Sequence, residues 1–165
     1  MTNEAGVSST GAPKDDMQLE TTHIEALILA NHAEAINGLL YLSGGGWTDV
    51  HRQIQGGIKP SNHFGIGLSI RVPWHETNEN HRFTLDVHNE DATVVLVHAE
   101  GDINVGRPPQ LHRGDVQHAL FAINVDTTFP NPGGYEVVAT VDGKNKATWP
   151  FRVHDRHVPD GARRP

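Results

Sequence analysis

The segment Pro73-Trp74-His75-Glu76-Thr77-Asn78-Glu79-Asn80-His81 concentrates an aromatic plate, imidazoles, two carboxylates and two amides in one short stretch. Imidazole and carboxylate are the usual groups for moving protons near neutral pH. A tryptophan beside polar side chains is a frequent anchor at a binding surface. Trp74, His75, Glu76, Asn78 and His81 are therefore the candidate ligand-binding residues. The competing reading is structural: a half-buried Trp74 covers the end of a core, and the Asn side chains satisfy backbone amides in a crossover. His81 shares the parity of Phe83 and Leu85, so on a strand it would cap the core at the strand's entrance.

Elsewhere the chemistry is sparser. Twelve histidines are the most unusual feature, yet neither H-x-H nor H-E-x-x-H occurs. Histidine metal sites usually carry such spacings, so the expectation is histidines at the surface and at strand ends, with no metal. Gly44-Gly45-Gly46 is followed by Asp49 and Arg52 rather than Gly-Lys-Ser/Thr, so it is no phosphate loop. It reads as a bend leaving a strand, with Trp47 packed beyond it; the alternative is bare backbone N–H groups offered to a ligand. Gly67-Leu68-Ser69-Ile70-Arg71 lacks the second glycine of a nucleophile elbow. Carboxylate pairs for glycoside hydrolysis could come from Glu76, Glu79, Asp86 and Glu90, where separation decides the mechanism. With no cysteine, disulfides, thiolate metal sites and a cysteine nucleophile are excluded. No catalytic residue and no cofactor is assigned.

These groups must be positioned by strands. Phe64 to Val72, Phe83 to Val87, Ala119 to Val125, Tyr135 to Val141 and Trp149 to Val153 all alternate apolar with small or polar residues. Ile24 to Ala30 is apolar on both sides, as a central strand covered on both faces would be. Leu39 to Leu42 and Thr93 to Val97 complete about eight strands, the number of an antiparallel immunoglobulin-like β-sandwich. A closed barrel is the second choice. Asn37-Gly38 and Asp142-Gly143 supply turn chemistry. The candidate helices are Ala33 to Ile36 or Trp74 to Asn80, neither beyond two turns. Residues 1–20 read as a disordered arm, 21–153 as the sandwich, and 154–165 as a flexible tail.

Three stretches resemble an uncharacterised family of small bacterial domains of unknown function, found often in actinobacteria. They are Asn37 to Trp47, Val72 to Asn78, and Pro132 to Val137 with Trp149 to Val153. The resemblance covers residues 22–153 and implies a β-sandwich, but it carries no activity and no catalytic residue.

In a chain of 165 residues the net charge is −7, which argues against general nucleic-acid binding. No apolar run approaches the roughly 20 residues of a membrane helix, and the N-terminus carries no signal-peptide pattern. A cytoplasmic, non-enzymatic sandwich that binds a protein partner or assembles with itself is the first expectation. A hydrolase or metal-dependent enzyme built on the Trp74–His81 loop is the second, and a structural subunit of a phage-like or shell assembly the third.

Overall fold

The structure, a computed structural model, describes residues 20–157. The expected arm, except Glu20, and the end of the expected tail therefore lie outside the described residues. The fold is all-β and mostly antiparallel, with ten strands among the described residues: β1 (His23–Ala30), β2 (His32–Ile36), β3 (Leu39–Ser43), β4 (Asp49–Ile54), β5 (Asn62–Pro73), β6 (Asn80–Asn89), β7 (Val95–Asn104), β8 (Val116–Thr127), β9 (Gly133–Val141) and β10 (Asn145–His157). They make a three-stranded sheet β1-β5-β8, a five-stranded sheet β4-β10-β9-β6-β7, and a two-stranded ribbon β2-β3.

Period-two alternation places one face of each large sheet on a shared core. Leu29, Ile66, Leu68, Ile70 and Val72 from the first sheet meet Leu85, Val87, Val137, Ala139 and Val141 from the second, all fully buried. Each buried aliphatic side chain of this size contributes about 1.5–3 kcal/mol by leaving water. One end of the core is aromatic, with Phe64, Phe129, Tyr135 and Phe151 packed ring against ring and Trp47 edge-on to Phe64 and Phe151.

Four expectations are corrected. Ala33 to Ile36 is not helical but lies in β2, paired with β3 across a tight Asn37-Gly38 turn whose two residues have φ of 53° and 73°. Of Trp74 to Asn80 only Trp74–Glu76 is helical, as a single 3₁₀ turn, and Asn80 already belongs to β6. The strand covered on both faces is β5, not β1: β1 is a sheet edge, whereas residues 64–70 of β5 are buried without interruption. Finally, the chain stays in the sheet past Val153, because His154 to His157 pair in parallel with β4.

The third correction has a steric origin. Gly65 and Gly67 form the outer face of β5, and the β2-β3 ribbon lies directly on them. A Cβ at Gly65 would stand 2.5 Å from the Ala33 nitrogen, and one at Gly67 would stand 2.7 Å from a Leu42 methyl. Asn124 on β8 then fixes the ribbon, accepting from the Ala33 N–H at 3.1 Å and donating to the Ala33 carbonyl at 2.9 Å.

Candidate functional site

The Trp74–His81 segment crosses from β5 of one sheet to β6 of the other, so its backbone must bend outside any ladder. Thr77 closes the 3₁₀ turn by donating its hydroxyl to the Trp74 carbonyl at 2.7 Å. Asn78 adopts φ 65°, a left-handed conformation that Asn tolerates, and its N–H donates to the Val105 carbonyl at 2.8 Å. Arg107, from the β7–β8 connection, locks the crossover. Its guanidinium donates to the Thr77 hydroxyl at 2.7 Å and the Trp74 carbonyl at 2.9 Å, and it lies 3.9 Å from the centre of the Trp74 ring. Arg113 stands 5.5 Å from the same ring, which gives the half-buried indole two cationic neighbours.

The five candidate residues do not share one surface. Glu76 accepts the Thr22 N–H at 2.6 Å and so anchors the entrance to β1. The Asn78 side-chain carbonyl accepts the Arg107 N–H at 3.1 Å. His81 continues the core-facing parity of β6 and is only 3% exposed. Trp74 and the exposed His75 alone border an open cavity of about 380 Å³, with Arg113 and Glu20 on its rim. Arg107 and Arg113 were not recoverable from the sequence, because nothing local marks two arginines 33 and 39 residues away as neighbours of Trp74.

His81 faces an acceptor at each ring nitrogen: Asp142 Oδ2 lies 2.7 Å from Nδ1, and the Glu76 carbonyl lies 3.1 Å from Nε2. Only the protonated ring can donate to both. Burial works against that charge, but the bond to Asp142, the Glu76 carbonyl and the two nearby carboxylates together hold the His81 pKa above its ordinary value. A raised imidazole pKa stabilises the fold fully below about pH 6.5, and that contribution is lost as pH rises through the folded-state value. His81→Gln should cost about 1–2 kcal/mol at pH 6. The wild-type melting temperature should also fall more steeply from about pH 6 to about pH 8 than that of the variant. Parallel curves for the two proteins would show that His81 does not carry its proton into the fold.

Other histidines are similarly engaged. His63, His98, His118 and His154 each lie 2.6–3.0 Å from a carboxylate of Asp126, Asp86, Glu25 and Asp49 respectively. Among the described residues no three His, Asp or Glu side chains stand close enough together to hold a metal ion. No helix among them is long and apolar enough to cross a membrane.

The model of a family of unknown function, DUF6941, matches residues 25–154. The chain belongs to that family. The match takes in all of the stretch that carried the resemblance except its first three residues, 22–24. No curated protein matches the chain. A beta-glucosidase from Listeria innocua, solved in complex with isofagomine, aligns at a TM-score of 0.36 and 9% identity, over 84% of this chain and 17% of that protein. At that level the likeness carries no argument about fold or activity.

A second surface of this DUF6941 chain is set by the ribbon. Ala33, Leu40 and Leu42 turn toward β5, so by alternation His32, Glu34 and Ile36 of β2 and Leu39, Tyr41 and Ser43 of β3 turn outward. Ile36 and Leu39 are opposite one another across the ladder, and Tyr41 follows Leu39 on the same face. They are 47%, 56% and 52% exposed. Three large apolar side chains on one rigidly mounted face form a contiguous patch, unlike apolar residues scattered singly.

Proposed function

We propose that the domain is a non-enzymatic interaction module, an immunoglobulin-like sandwich of the cytoplasm that assembles with itself or binds a protein partner through the outer face of the β2-β3 ribbon. The observation that supports this reading most is the exposed Ile36–Leu39–Tyr41 patch. Its mounting matters as much as its chemistry. Because the Gly65–Gly67 seat and the Asn124 clamp already order the ribbon, docking a partner there loses little further conformational entropy. Tyrosine is among the residues that most often anchor a protein interface, and Ile36 and Leu39 extend the apolar surface beside it.

The hydrolase reading has less support. It asks Glu76, Asn78 and His81 to be available to a substrate, and each is bonded within the chain. Light scattering on the full chain tests the proposal. Wild-type protein should show a mass above the monomer's 18.1 kDa that rises with concentration. The double variant Leu39→Ser, Tyr41→Ser should remain monomeric with a nearly unchanged melting temperature, since exposed substitutions usually shift stability by under about 0.5 kcal/mol. A strictly monomeric wild type would remove self-assembly; a double variant that associates like wild type would remove the ribbon from the interface.

A further inference from the structure

The five-stranded sheet ends on β7, a strand of ten residues that pairs with β6 alone among the described residues. Sheets commonly blunt so long an edge with proline, lysine or a bulge that turns it away. β7 contains neither proline nor lysine, and its one register shift lies at its start, where Val95 pairs with His88. The direction of its free backbone groups follows from β6. Arg82 turns both of its own toward the end of β9: its N–H donates to Asp142 Oδ1 at 3.0 Å, and its carbonyl accepts the Asp142 N–H at 2.8 Å. By alternation Phe83 and Leu85 turn theirs toward Gly101 and Ala99 of β7. His98, Glu100 and Asp102 therefore aim their N–H and carbonyl groups out of the sheet, a template for one more strand.

The two faces of this edge differ in chemistry. Val97, Ala99 and Gly101 are opposite Val87, Leu85 and Phe83, so they lie on the core face, and Val97 and Ala99 are half-buried against the core. Gly101 leaves room for an aromatic ring: a Cβ there would stand 2.7 Å from the ring of Phe83. On the solvent face His98, Glu100 and Asp102 stand beside Asp86, Thr84 and Arg82 of β6. His98 is engaged with Asp86 at 2.6 Å, and Arg82 with Glu100 at 2.6 Å. Three carboxylates thus face one arginine and one histidine, and two of the three, Glu100 and Asp102, belong to the outermost strand. Residues directly opposite one another in an antiparallel pair share a face and interact, with opposite charges favourable and like charges unfavourable. An added strand therefore meets carboxylates at its positions opposite Glu100 and Asp102, and apolar surface at the positions between. A second copy of β7 would bring the same carboxylates to the edge and is the poorer fit.

We propose that the outer edge of β7 is a docking site for an extended segment of a partner protein, added as an antiparallel strand with basic residues opposite Glu100 and Asp102 and apolar residues between them. Main-chain hydrogen bonds to His98, Glu100 and Asp102 hold such a segment, and the alternate side chains select it. This edge belongs to the other sheet from the one that carries the ribbon, and it stands or falls separately from the ribbon surface.

Fluorescence anisotropy of labelled peptides titrated with the full chain tests this. The matched peptide, Lys-Val-Lys-Val-Thr-Val, places its lysines opposite Asp102 and Glu100 when it runs antiparallel to β7. It should bind saturably and about tenfold tighter than Glu-Val-Glu-Val-Thr-Val. Methylating the backbone nitrogens of the two lysines and the threonine, which face β7, should abolish binding; methylating those of the three valines, which face away, should leave it in place. The double variant Glu100→Lys, Asp102→Lys should reverse the preference between the two peptides. Should that variant not fold, the methylated peptides still decide the matter on the wild-type chain. The ribbon variant Leu39→Ser, Tyr41→Ser should bind the matched peptide as wild type does, which separates this edge from the ribbon surface. The proposal is overturned if the matched peptide does not bind, if the acidic peptide binds as tightly, if the two methylation patterns are equally harmful, or if the ribbon variant loses the peptide.

Discussion

Gly65→Ala should destabilise the protein by about 3 kcal/mol, whereas Gly67→Ala should cost about 1 kcal/mol or less. Neither glycine has a positive φ. On backbone grounds alone, alanine at either site would be neutral or would stabilise by about 0.4–1 kcal/mol. The collision partners reverse the sign at one site and blunt it at the other. At Gly65 the new Cβ meets backbone, the Ala33 nitrogen at 2.5 Å and the His32 carbonyl carbon at 2.7 Å, and backbone clamped by Asn124 cannot rotate away. At Gly67 it meets the methyl ends of Leu42 and Leu40, which can change rotamer. Relief at Gly65 therefore requires the ribbon to lift, uncovering Leu40, Leu42 and the outer face of β5 together. Urea unfolding checks this: the midpoint should fall far more for Gly65→Ala than for Gly67→Ala, and the slope should change if the ribbon is already detached in the native state. A neutral Gly65→Ala would mean that the ribbon is not seated as described. The same variant should also weaken self-association, since a lifted ribbon no longer presents Ile36, Leu39 and Tyr41 in one orientation.

The glycines show what could and could not be read from the residues. Alternation alone located β5, β6, β8, β9 and β10, and Asn37-Gly38 and Asp142-Gly143 marked two of the turns. It could not say whether the small-residue face of β5 met water or another layer, because glycine is compatible with both. His32-Ala33-Glu34-Ala35-Ile36 has the Ala and Glu content of a helix, but local propensity is weak beside the Asn37-Gly38 turn and the Asn124 clamp. β4 was hidden for a different reason. Its buried positions are Arg52 and Ile54, and an arginine on the inward face erases the pattern that marks a strand. At the candidate site the inward parity of His81 was legible. The bonds that occupy Glu76 and Asn78 were not, since Thr22 and Arg107 reach them from distant parts of the chain.

Arg52 gives the other large expected effect. Its side chain is wholly buried, an arrangement that charged groups adopt only when paired. The guanidinium donates to Asp155 at 2.6 Å and to the Phe129 carbonyl, tying β4, the end of β10 and the β8–β9 connection into one corner. Asp155→Ala should cost about 3–5 kcal/mol, because it leaves a desolvated cation with the Phe129 carbonyl as its one remaining partner among the described residues. Replacing both residues, Arg52→Met with Asp155→Val, should recover much of that loss, since an apolar pair needs no compensating charge. The order of the two variants is the test: a double variant less stable than Asp155→Ala would mean that the pair stabilises through more than charge compensation. The pH dependence runs opposite to that of His81. The hydrogen bond from Arg52 holds the Asp155 carboxyl below its usual value against the opposing effect of burial. Its contribution is thus present above about pH 4 and is lost as pH falls through the lowered folded-state value. Acid unfolding of wild type should steepen there, and the double variant should lack that component. Because Arg52 and Asp155 fix β4 beside β10, the same loss should loosen Asp49, whose neighbour across the ladder is Arg152. The ribbon surface, held by Asn124 on the other sheet, would keep its geometry in Asp155→Ala.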